Sequence, residues 1–62
     1  MSDDTKTPED ITSEAANLLS AATMKASHAF AHVQDQNPEG FAESRAEAIK
    51  DAKKAIALLE QI

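Results

Sequence analysis

Between Pro8 and Pro38 the chain has no glycine and no proline, and beyond Gly40 it has neither again. These two residue types are the strongest interrupters of a helix. The stretch Asn37-Pro38-Glu39-Gly40 is therefore the one place where this sequence can turn back on itself. A proline disfavours the α region for the residue before it, so a helix running into Asn37 ends there. Asn37 is then a good N-cap for a second helix, Pro38 fits the first helical position, and Glu39 places negative charge against the unpaired N–H groups of the first turn. Thr7-Pro8-Glu9-Asp10 repeats the same logic at the start of the first helix. The pattern predicts an all-α chain with helices over about residues 8–36 and 38–61, folded as an antiparallel hairpin. Residues 1–7 read as a disordered tail and 8–62 as one helical domain.

Each predicted helix carries an apolar stripe. In the first, Ile11, Ala15, Leu18, Leu19, Ala22, Ala26, Ala29, Phe30 and Val33 share an arc of about 120° at 100° per residue. In the second, Phe41, Ala48, Ile49, Ala52, Ala55, Ile56 and Leu59 do the same. Read outward from Asn37, the stripes mirror one another: Val33 with Phe41, Phe30 with Arg45, Ala26 with Ile49, Ala22 with Ala52, Leu19 with Ile56, Ala15 with Leu59, Ile11 with Ile62. Their numbers keep a nearly constant sum, as an antiparallel fold about Asn37 requires. On this reading Ile56 is a core residue, and Leu58, off the stripe beside Glu47 and Asp51, faces solvent.

A chain of 62 residues that is 42% hydrophobic, much of it alanine, holds few large apolar side chains. A core of that size supports only a few kcal/mol in a monomer, and such chains add disulfides, metals or oligomerisation. With no cysteine, disulfides and thiolate zinc sites are excluded. Apolar arcs of this width exceed what one hairpin can bury, so the expected solution is a homodimer closing into a four-helix bundle. In size, acidity and layout the chain resembles the Rop type of plasmid RNA-binding hairpin dimer. That resemblance implies a nucleic-acid-binding reading, for which Lys25, Lys50, Lys53 and Lys54 offer the nearest basic face. Eleven acidic residues against six basic ones, a net charge of −5, make nucleic acid the disfavoured partner. The first residues have neither a basic region nor an apolar run, and no stretch is long enough to span a membrane. The expected location is the cytoplasm.

The candidate site residues are few. His28 and His32, four apart with Asp35 three further on, bring three potential metal ligands onto one helix face. Ala29 stands where a metalloprotease motif needs glutamate, and imidazoles near a helix C-terminus also suit the dipole. A solvated face is the favoured reading, weak metal binding the minor one, and no metal or other cofactor is expected. Arg45 interrupts the second stripe opposite Phe30, as a snorkelling side chain paired with an acid such as Asp35, or as an anchor for an anionic partner. Met24 and Leu58 are apolar residues off the stripes, open to solvent or to a partner. No nucleophile, phosphate loop or pKa-shifting pocket is legible, so no catalytic residue is expected. The expected function is a non-enzymatic interaction or regulatory module, a homodimer that binds or inhibits a cytosolic protein.

Overall fold

The computed structural model describes residues 7–62 as two helices, α1 (Pro8–Gln34) and α2 (Pro38–Leu59), packed against each other as a hairpin. The expected tail lies outside the described residues except for Thr7, whose hydroxyl accepts the Asp10 N–H at 3.1 Å as the α1 N-cap. Asn37 caps α2 in the same way, its Oδ1 accepting the Gly40 N–H at 3.1 Å. Both helices thus start where the local chemistry said they would.

They end earlier than expected. Gln36 takes a left-handed backbone (φ 56°), its N–H donates to the Val33 carbonyl, and the Asn37 N–H donates to that of His32. This pair of bonds is the Schellman closure, which meets the last carbonyls of α1 and reverses the chain. Glycine usually occupies that position; glutamine here carries the cost of a left-handed conformation.

The molecule measures 52 × 19 × 14 Å. Fourteen ångströms is about one helix diameter, so the hairpin is a single layer with only the seam between its helices as an interior. Along α1 the line of positions shielded at that seam is Ile11, Ala15, Leu18, Ala22, Lys25, Ala29 and His32, and along α2 Ser44, Ala48, Asp51, Ala55 and Leu58, with Ala21, Gly40 and Ala52 half-buried beside it. Spacings of four and three alternate without a break, the 3.5-residue period of two helices that cross at a shallow angle. The buried hydrophobic residues are Ile11 and the four alanines 15, 22, 29 and 55, with Ala55 at 0% exposure.

Of the expected core, Ile11, Ala15, Leu18, Ala22, Ala29, Ala48 and Ala55 do face the seam; the other large members of the stripes do not. The register about Asn37 holds, since Lys25 reaches Glu47 and Asp51 and the His32 ring lies over Gly40. Each helix, however, is rotated by about one position from the expected facing. Ile56 is 53% exposed and Leu19, Phe30, Val33, Ile49 and Leu59 are exposed as well. Leu58 is half-buried at the seam, beside Leu18, Glu14, Lys54 and Ala57. Alanine, serine and glycine let two backbones approach closely, and these small residues won the seam from the larger ones.

Candidate interaction face

The displaced large residues lie together. Residues that follow seam positions on α1 (Leu19, Ala26, Phe30, Val33) turn to one side of the layer. In an antiparallel pair the residues that follow seam positions on α2 (Arg45, Ile49, Ala52, Ile56, Leu59) turn to the same side. The result is one apolar face running the length of the hairpin, with Phe30 at its turn end 65% exposed. There Val33 and Phe41 line a shallow depression with His32, Asn37 and Pro38. These side chains together leave several hundred Å² of apolar surface, on the order of the largest patch a soluble monomer shows. The mirrored pairs in the sequence are real levels of the hairpin; Val33 with Phe41, Phe30 with Arg45 and Leu19 with Ile56 belong to exposed positions, while Ile11, Ala15 and Ala22 are seam residues.

The opposite side is polar. Lys25, at a seam position, turns toward it and meets Glu47 at 3.1 Å and Asp51 at 3.6 Å, with the Asp51 side chain only 17% exposed. The hydrogen bond to Glu47, with the negative charges of Glu47 and Asp51, holds the Lys25 ammonium above its ordinary value of 10.5, against the opposing effect of partial desolvation. A charged layer in an otherwise mostly apolar seam disfavours any slip of one helix along the other, since a slip would leave half-buried charges unpaired. The sequence reading missed this layer. The signal was present: Lys25 stands at heptad spacing between Ala22 and Ala29, with Asp51 at the matching level of α2.

The histidines do not converge with Asp35. Among the described residues no three of His, Cys, Asp and Glu are grouped so as to hold a metal ion. His28 is exposed, Asp35 closes α1, and His32 turns across the hairpin onto the start of α2. Its Nδ1 lies 3.3 Å from Asn37 Nδ2. Because Asn37 Oδ1 is taken by the Gly40 N–H, the amide donates to the ring, which requires Nδ1 to be unprotonated. A Cβ at Gly40 would come within 2.7 Å of the ring and of the Asn37 amide nitrogen. Gly40 thus leaves room for the His32–Asn37 contact, and a larger residue there would displace those two side-chain ends.

The three interface candidates fall on three different faces. Arg45 lies in the open apolar face and forms no ion pair with Asp35 or any other described residue. Met24, 59% exposed, is on the polar side, away from that face, and Leu58 belongs to the seam. No family model, curated protein or solved structure matches this chain. No described helix is long and apolar enough to cross a membrane. Among the described residues, Leu19, Phe30, Val33, Ile49, Ile56 and Leu59 are the large apolar side chains exposed on this face.

Proposed function

We propose that the chain is a non-enzymatic interaction module that works as a homodimer, two hairpins closing their open faces into a four-helix bundle. One observation carries the reading: the buried part of the seam is Ile11 and four alanines, while Leu19, Phe30, Val33, Ile49, Ile56 and Leu59 lie exposed on one side of a single-layer molecule. A hairpin whose buried core is one isoleucine and four alanines gains little from its own packing, at ~25 cal/mol per Å² of apolar area removed from water. A second copy presents a face of the same length and pattern, so it covers the exposed residues without any further gene product. The bundle then offers its polar outer sides, including Met24, to a protein partner.

Lys25, needed for a basic nucleic-acid face, is engaged with Glu47 and Asp51, which favours the protein-interaction reading. The test is thermal unfolding followed by circular dichroism over a hundredfold range of concentration. Coupled folding and association raises the melting temperature with concentration; a melt that does not move with concentration rejects the homodimer.

A further inference from the structure

His32 is joined to the start of α2 by two contacts of different kinds. The Asn37 backbone N–H donates to its carbonyl at 2.9 Å, and the Asn37 side-chain amide reaches its ring at 3.3 Å. The same amide caps α2, its Oδ1 accepting the Gly40 N–H at 3.1 Å. An amide has one carbonyl oxygen and the cap uses it, so Nδ2 faces the ring as a donor. The ring lies so close to Gly40 that a Cβ there would come within 2.7 Å of its Cε1 and Nδ1.

This arrangement fits only a neutral imidazole with its proton on Nε2. A second proton turns Nδ1 into a donor, and two donors then face each other at hydrogen-bonding distance. Turning the amide over would repair that contact but would withdraw the oxygen from Gly40 and uncap α2.

The surroundings of the ring act the other way. On its own helix Asp35 stands three residues on and His28 four residues back; on α2 Glu39 and Glu43 stand on either side of Gly40 in the chain, and Arg45 lies on the open face at the level of Phe30. Three carboxylates and the carbonyl end of α1 attract positive charge to this region, although among the described residues none of them forms an ion pair with His32. A proton can be held here with the cap intact only if the ring leaves the amide.

We propose that His32 is a proton-operated latch on the turn. Neutral, it covers Gly40 and holds the Asn37 amide; protonated, it lets go of both while α2 stays capped. The same ring is one wall of the depression that Val33, Asn37, Pro38 and Phe41 form at the end of the open face. Release of the latch widens that depression, so the turn end of the open face changes shape between about pH 8 and 5, the range in which an imidazole takes up a proton. The device belongs to the hairpin itself and does not depend on a second copy.

The test is proton NMR of the full chain across that range, with each histidine followed through its own ring signals. The expected result is a nuclear Overhauser effect between His32 Hε1 and the Gly40 Hα protons, present at the alkaline end and lost as His32 titrates. The Overhauser effect between Asn37 Hβ and the Gly40 amide proton, which reports the cap, persists throughout. A ring-to-Gly40 effect that survives protonation of His32, or a cap effect that disappears with it, overturns the latch. Asn37→Asp separates the part of the amide from a general effect of charge. Aspartate caps a helix about as well as asparagine, and its second oxygen accepts from Nδ1–H, which both the other neutral tautomer and the charged ring can offer. This variant should keep the ring-to-Gly40 effect at both ends of the range. Its loss on acidification, as in the unchanged chain, would show that the amide does not drive the release and would reject the proposal.

Discussion

The seam and the open face of this hairpin are built from the same two helices at the same levels, yet they hold opposite kinds of residue. The seam takes Ala15, Ala22, Ala29, Ala48 and Ala55 with one charged layer and only Ile11, Leu18 and Leu58 of the larger residues; the open face takes Leu19, Phe30, Val33, Ile49, Ile56 and Leu59. Small residues make little transfer energy but admit a close, register-specific approach, and the Lys25–Glu47–Asp51 layer fixes which level meets which. Large residues carry more burial energy, and in the proposed homodimer a second copy realises it. Specificity and driving force are thus assigned to different surfaces, which makes them separable by substitution.

The largest expected effect is on the open face. Ile56→Lys removes an apolar side chain from the proposed bundle core and sets a charge in its place, a loss of roughly 2–5 kcal/mol per copy from burial alone. Sedimentation should show a monomer, and helicity should fall with it. A substitution at the seam acts differently. Ala55→Leu overpacks a fully buried position and should cost ~1–3 kcal/mol, lowering the melting temperature at every concentration while the species that folds remains dimeric. If Ala55→Leu proves neutral and Leu58→Lys leaves stability untouched, the helices face one another through a different side.

Smaller effects come from the turn. Asn37→Ala removes the cap of α2 and its amide contact with His32, a loss of ~1 kcal/mol visible in chemical denaturation. Gln36→Gly should do the reverse, relieving the left-handed backbone at φ 56° for a gain of ~0.5–1 kcal/mol; a loss would mean that the Gln36 side chain makes a contact that outweighs its backbone cost.

The smallest effect is electrostatic. Because Lys25 is held above its ordinary value of 10.5 in the folded state, its contribution is fully present below that pH and is lost as pH rises through the folded-state value. The alkaline fall in melting temperature should therefore begin above about pH 10.5 and be shallower in Lys25→Met, where this contribution has been removed. An alkaline profile identical in the two proteins would show that the charged layer adds nothing.

The sequence carried the starts of both helices: the two N-caps, the turn before Asn37 and the antiparallel levels follow from short-range rules that tertiary context did not override. It misled where the choice was rotational. The expected stripes held both the alanines and the larger residues; weighing by hydrophobicity centres them on the large ones, whereas close approach of the backbones centres the seam on Ala15, Ala22, Ala29, Ala48 and Ala55. The same weighting put Leu58 in solvent and made Lys25 and Asp51 surface charges, although all three stand at heptad positions of the seam. The left-handed Gln36 was not legible because glutamine has no special preference for that conformation. Of the candidate residues, His32 proved to be part of the turn's packing, an arrangement visible only once the fold had brought it over Gly40.

The measurement closest to the central claim, that the hairpin's driving force lies on a face only a second copy can cover, is sedimentation equilibrium of the unmodified chain with helicity recorded on the same samples. The expected result is a species of twice the 6.6 kDa chain mass whose dissociation on dilution is accompanied by loss of helix. A 6.6 kDa species that keeps its full helicity at high concentration, stable with its apolar face in water, would contradict it.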